Sequence, residues 1–196
     1  MLPEFYFAII LSYLIGSIST AIIVCKLLNL PDPRTKGSNN PGATNVLRIG
    51  GKKAAAITLV GDSLKGALSV LIAFYMGFDL VDATWIALAA FLGHVYPVFF
   101  GFKGGKGVAT FLGALFALDF TIGASFALIW VFVAKVLKIS SLSALLATLL
   151  TPVFFFFLSG NLEATYIIVL MSLWIFYTHR SNIKRMLSGE EGSIKS

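Results

Sequence analysis

The sequence predicts an all-α integral membrane protein of about seven transmembrane helices, some of them short, with its N-terminus outside and its C-terminus in the cytoplasm. Composition, the spacing of apolar segments and the placement of basic residues carry this expectation. Of 196 residues, 58% are hydrophobic and 12% charged, with a mean hydropathy of +0.90. Soluble domains carry about twice that share of charge. Apolar segments lie at about 5–25, 54–76, 84–100, 108–118, 122–137, 142–158 and 164–178. If each is a crossing, the loops alternate sides. Lys26, Arg34, Lys36, Arg48, Lys52, Lys53, Lys103, Lys106, Lys135, Lys138, Arg180, Lys184, Arg185 and Lys195 then share one side, 14 of the 15 basic residues. The opposite side holds Glu4, Asp79, Asp82, Asp119 and Glu163 and no basic residue. Basic loops stay in the cytoplasm.

The first segment, "MLPEFYFAIILSYLIGS", has Glu4 but no basic residue ahead of its apolar run. That is the wrong flank for a cleaved signal peptide, so it reads as a spanning helix that stays. Cys25, the single cysteine, sits in the same apolar region and offers no disulfide framework. The second segment is long enough to span, and it contains Asp62 and Lys65 three residues apart. They read as a mutually satisfied internal pair, although a transporter would use such a pair for ion coupling. The fourth segment is too short for a full crossing. The outer connections, "GFDLVDA", "LDFTIG" and "SGNLE", are tight and chemically plain. Residues 1–196 therefore form a single multi-span domain whose cytoplasmic-face loops, 26–53, 101–107, 138–141 and 179–196, hold the polar stretches. The net charge of +6 follows from this sidedness and requires no nucleic acid. Such a face suits anionic lipid or phosphate.

Three of those stretches point to phosphate. In "GFKGGKGVAT", Gly101, Gly104, Gly105 and Gly107 surround Lys103 and Lys106, and an apolar segment starts at Val108. Glycine permits close backbone approach, and a helix start adds unpaired N–H groups and partial positive charge. It is not a Walker A loop, since Gly107 follows Lys106 and Phe100 stands where the first glycine would be. In "KGSNNPGATNVLR", Ser38, Asn39, Asn40, Thr44 and Asn45 supply hydroxyls and amides while Pro41 and Gly42 turn the chain. Arg48 shares a face with Asn45 if the chain is helical there, and its fork suits a phosphate monoester. In "THRSNIKR", His179, Asn182 and Ile183 fall at helical spacing, with Arg180 and Arg185 nearby. His179 suits a base, a phosphate donor or a satisfied helix-end histidine.

Together "GSNNPGATNVLR", "GHVYPVFFGFKGGKGVAT" and "HRSNIKR" resemble the three motifs of the membrane-integral bacterial acyl-phosphate:glycerol-3-phosphate acyltransferase family. The resemblance extends from "LIGSIST" near residue 14 through "GDSLKG" at 61–66 to the basic tail. The family typically reads Gly-Ser-Gly-Asn where this chain has Gly37, Ser38, Asn39 and Asn40, and asparagine tolerates the left-handed angles that the glycine allows. The resemblance implies transfer of a fatty acyl group from acyl phosphate to the 1-hydroxyl of sn-glycerol 3-phosphate, an early step of phospholipid synthesis. It implies catalytic roles for Ser38, Arg48, Lys106, His179 and Asn182. Substrate binding falls to Asn45, Gly104, Gly105, Gly107, Thr110, Ser143 and Arg180. No metal or cofactor is implied; the partners are the two substrates, membrane lipid and the enzyme that makes acyl phosphate. The site would lie on the cytoplasmic face of the bacterial inner membrane.

Other classes fit less well. Soluble-face glycerolipid acyltransferases place an aspartate five residues after a histidine, but Phe99 and Lys184 stand there. No Asp-Gly-x-x-Ala-Arg run or metal-ligand cluster occurs. A small phosphate or organic-anion transporter, with the short fourth segment as its broken helix, is the alternative; it needs polar residues on both faces, which the outer loops do not offer. The charge split gives a direct test of orientation. Cysteines placed at Asp82 or Glu163 should react with an impermeant thiol reagent from outside sealed cells, and one at Asn39 should not; labelling at Asn39 would reverse the assignment.

Overall fold

The protein, described by a computed structural model over residues 3–194, is helical throughout its regular structure. Lys195, counted above with the basic side, lies outside the described residues. Among the described residues nine α-helices follow in chain order: α1 (Pro3–Gly16), α2 (Thr20–Leu27), α3 (Ala43–Tyr75), α4 (Leu80–Val95), α5 (Val108–Leu118), α6 (Phe120–Leu137), α7 (Ser140–Ser159), α8 (Leu162–Thr178) and α9 (Arg180–Leu187). Five stretches have the length and apolarity to cross a bilayer: α1 with α2, α3, α4 with the 3-10 turn at Val98–Phe100, α6 and α7. The seventeen residues of α8 reach the same standard only together with α9, which bends away by 57°. The expected short fourth segment is α5, eleven residues long.

The bundle is apolar outside as well as inside. Leu64, Leu68 and Leu71 of α3, Leu128 and Phe132 of α6 and Phe157 of α7 are all exposed, as lipid-facing side chains are. The interior is built from Phe91, Phe111, Leu115, Phe126, Phe155 and Met171. Buried hydroxyls bond back to their own helices: Ser69 to the Lys65 carbonyl at 2.9 Å, Thr151 to Ala147 at 2.8 Å and Ser172 to Ile168 at 2.8 Å. Without water, that is the nearest acceptor available to them.

Helix α5 packs chiefly on α3, and small residues let the two backbones touch. A methyl group added at Gly113 would overlap the Ser63 carbonyl oxygen, and one at Gly66 would overlap that of Thr110. At 1.5 Å per residue α5 extends only about 16 Å, roughly half the hydrocarbon thickness. The loop that precedes it therefore descends into the bundle from one end. Its descent is stitched to the end of α4: Gly104 N–H donates to the Val95 carbonyl at 3.2 Å and Gly105 N–H to that of His94 at 3.1 Å.

The 27–43 connection folds over the same end and leads into α3 at Ala43, earlier than the apolar segment predicts. That first stretch of α3 is interrupted at Gly51, whose φ of 76° breaks the helical path. Beyond it the apolar, membrane-embedded part begins.

Candidate active site

The first polar loop is braced from within. Asn45, buried in the opening turn of α3, accepts the Ser38 N–H at 2.9 Å and donates to the carbonyls of Pro33 at 2.8 Å and Lys36 at 2.9 Å. Every polar atom of its amide is engaged inside the loop. These bonds shape the turn, and Asn45 also borders the cavity described below. Asn39 adopts φ 56°, a left-handed angle of the kind that asparagine tolerates in place of glycine. Thr44 Oγ1 lies 3.0 Å from Ser140 Oγ and ties this loop to the start of α7.

Lys106 enters from the glycine loop and donates to Asn182 Oδ1 on α9. Asn182 Nδ2 in turn donates to Glu191 Oε1 at 2.6 Å, and the same oxygen receives the Ser141 hydroxyl at 2.7 Å. Arg185 Nε holds Glu191 Oε2 at 2.7 Å. Residues past α9 thus fold back into the site, fastened again by Ile194 N–H on the Lys138 carbonyl at 2.7 Å. Burial alone would raise the Glu191 carboxyl, but hydrogen bonds from Ser141, Asn182 and Arg185 bring it below the usual carboxylate range.

His179 occupies the bend between α8 and α9 and is buried. Its Nδ1 lies 2.8 Å from the Ile175 carbonyl, which can only accept, so Nδ1 carries the proton and Nε2 keeps its lone pair. Burial first, then the nearby Lys106 charge, depress its pKa to about 4. The imidazole is neutral near pH 7. Lys106 is itself pulled down to about 8, by burial first and then by Arg185, with Glu191 opposing and Arg48 adding to the fall.

These groups line one cavity of about 1360 Å³. Ser38, Asn45, Arg48, Lys106, Gly107, His179 and Asn182 all border it. Its lining also includes the apolar side chains of Leu59, Leu112, Phe126, Trp130 and Val131. The other residues expected at the site do not border the cavity. Gly104 and Gly105 do not border it and have given their amides to α4, so they cannot cradle a phosphate with those N–H groups. Thr110 is buried against α3, its carbonyl at Gly66, while Val108, Ala109 and Leu112 form the α5 side of the cavity. Ser143 turns inward and donates to Ile139 at 2.8 Å; helical spacing brings Ser140, Ser141 and Ala144 to the cavity instead. Arg180 is exposed, its guanidinium 4.4 Å above the Tyr177 ring.

Ser141 and Glu191 are what sequence reasoning missed, and Arg185 was noted there only as a neighbour of His179 and Asn182. Glu191 had a faint signal as an acid among the basic residues that follow the last apolar segment. The Lys106 charge gives a pH test. Affinity for inorganic phosphate should fall as pH rises through about 8, as the ammonium loses its proton. Lys106→Arg should flatten that dependence up to about pH 9.5, since guanidinium stays charged; calorimetric titration at successive pH values checks both.

A family model for glycerol-3-phosphate acyltransferase matches residues 6–189. The glycerol-3-phosphate acyltransferase of Ruthia magnifica subsp. Calyptogena magnifica is 69% identical over 196 residues, 99% of this chain and 100% of that one. Its counterpart in Hydrogenovibrio crunogenus is 55% identical over 185 residues, 94% of this chain and 88% of that one. The crystal structure of PlsY (YgiH), an integral membrane glycerol 3-phosphate acyltransferase, in its glycerol 3-phosphate form matches at a TM-score of 0.93 and 38% identity, over 98% of this chain and 96% of that one. The lysophosphatidic acid form matches at 0.90 and 38%, over 97% and 95%. By sequence along nearly its whole length and by architecture, the chain belongs to the glycerol-3-phosphate acyltransferase family.

Proposed function

We propose that the protein transfers a fatty acyl group from acyl phosphate to the 1-hydroxyl of sn-glycerol 3-phosphate, on the cytoplasmic face of the bacterial inner membrane. The observation that carries the reading is the cavity itself, whose lining combines Lys106, Arg48 and Arg185 with an apolar stretch of α5 and α6. That shape suits two phosphates and one chain. The donor is a mixed anhydride and already activated, so holding two substrates in line supplies much of the acceleration. The glycerol oxygen bonds to the acyl carbon, the bond from that carbon to the phosphate oxygen breaks, and phosphate leaves with the electron pair. The hydroxyl proton goes to phosphate, whose second pKa near ~6 makes it a competent acceptor.

Arg48 and Lys106 neutralise the phosphates, and Ser38 is a further donor. His179 Nε2, Asn182 and Ser141 orient the glycerol. The polar ends of loops 26–53, 101–107, 138–141 and 179–194 act as one site in this reading. Family membership, together with a cavity made from loops at one end, favours this over the anion transporter.

Purified detergent-solubilised protein should form lysophosphatidate from acyl phosphate and labelled glycerol 3-phosphate, and none with acyl-CoA as donor. Lys106→Ala should lower kcat/KM by about 10- to 100-fold, the worth of a charge-assisted phosphate contact of about 1.5–3 kcal/mol. Product from acyl-CoA alone, or near-normal kinetics in the variant, would contradict the assignment.

For His179→Gln the loss should stay under about 100-fold, the scale at which obligatory acid–base catalysis begins. Because the His179 pKa is about 4, its protonation does not set an acidic limb near pH 6. That limb should survive in the variant as a property of the substrate phosphate, and its disappearance from the pH–rate profile would make His179 the base.

A further inference from the structure

Between α3, α4 and the glycine loop lies a buried polar cluster, two of whose members, Asp62 and His94, border the same cavity, and to which the reaction above assigns no role. Asp62 is 1% exposed, Lys65 5% and His94 6%. Lys65 Nζ sits 3.0 Å from Asp62 Oδ1 and donates to the Ile18 carbonyl at 2.9 Å, in the break between α1 and α2. His94 Nδ1 lies 3.7 Å from the same Asp62 oxygen. The opposite edge of the ring faces Gly105. A methyl group added at Gly105 would overlap His94 Nε2 and lie 2.8 Å from Cε1 and 3.2 Å from Cδ2, and its three nearest neighbours all belong to this imidazole.

The His94 carbonyl also takes the Gly105 N–H at 3.1 Å. Main chain and side chain of one residue therefore bracket Gly105, and the next residue is Lys106. On its other side the Lys106 carbonyl accepts the Thr178 hydroxyl at 3.1 Å. A glycine used to cradle an anion would leave its amide unpaired; here the amide is engaged and the missing side chain makes room for a ring. Close approach is the second reason a chain uses glycine.

We propose that His94 is the positioning residue for Lys106. Its imidazole, backed by the Asp62–Lys65 pair, is the surface on which Gly105 rests, and it fixes the point from which the ammonium reaches Asn182 and the substrate phosphate. His94→Ala removes that surface and lets the loop sink; Gly105→Ala drives loop and ring apart. Either change displaces Lys106 without touching its charge. Combining them puts a small group where the ring was, so the losses should cancel in part.

The proposal rests on the glycerol 3-phosphate reading above and is tested on the full chain in detergent by calorimetric Kd for glycerol 3-phosphate and by steady-state kinetics. Each single variant should raise Kd and KM for glycerol 3-phosphate about tenfold, with KM for acyl phosphate held. A merely structural defect lowers the active fraction and hence kcat, and would not give that split. The double variant should bind about tenfold better than the product of the single losses implies, the non-additivity of neighbours in contact. His94→Asn keeps a donor toward Asp62 and vacates the Nε2 edge, so it should fold and also relieve Gly105→Ala. Multiplying losses, an unchanged Kd in His94→Ala, or failure of all these variants to fold would overturn the positioning role. Wild-type protein that binds glycerol 3-phosphate without turning over acyl phosphate would sink the donor assignment and leave this cycle readable. Wild-type protein that does not bind glycerol 3-phosphate would overturn both.

Discussion

Hydrocarbon offers no water to a broken helix, and this chain breaks its helical path repeatedly near the end that holds the site. Each unpaired backbone group left in lipid would cost several kcal/mol. The gap between α1 and α2 is closed by Lys65 on the Ile18 carbonyl and by Ser17, whose hydroxyl accepts the Val98 N–H at 3.3 Å. Tyr13 adds its hydroxyl to the Tyr96 carbonyl at 2.7 Å. The descending glycine loop is closed by the carbonyls of His94 and Val95. Those repairs allow an irregular segment to sit below the membrane surface. With it goes Lys106, partly desolvated and so more responsive to a phosphate than a surface lysine would be.

The site carries more positive than negative charge, and its Glu191 carboxylate is fully engaged. Arg48, Lys106 and Arg185 face the cavity; Glu191 takes Ser141, Asn182 and Arg185. Removing one partner from such a network leaves buried polar groups unmatched, which costs more than the bond itself contributes. The same carboxylate aligns Asn182, whose other end meets Lys106. Segments far apart in sequence, the glycine loop, α7, α9 and the residues after it, therefore converge through a short chain of hydrogen bonds.

Much of this was legible in the sequence because hydropathy and loop chemistry are local signals. The limits of α5 coincide with the apolar segment 108–118, and the left-handed turn at Asn39 was anticipated from residue type. Direction was not legible. Gly104 and Gly105 read as an anion cradle because glycine freedom is visible in a sequence while the destination of an amide is not. Ser143 and Thr110 belonged to the right helices but to the wrong faces, since which face meets a cavity depends on neighbours distant in the chain. Glu191 was missed for the same reason: the return of the last residues to the site is a tertiary event.

The cavity is bounded by Leu59, 44% exposed on α3, and Val131, 42% exposed on α6. A wall made of lipid-facing residues is a wall open at the side. On the proposed reaction, donor and product enter and leave in the plane of the membrane, and only glycerol 3-phosphate and phosphate exchange with water. Turnover then scales with the number of donor molecules per unit of leaflet area rather than per unit of cell volume, and each product molecule is delivered to the leaflet in which it was made.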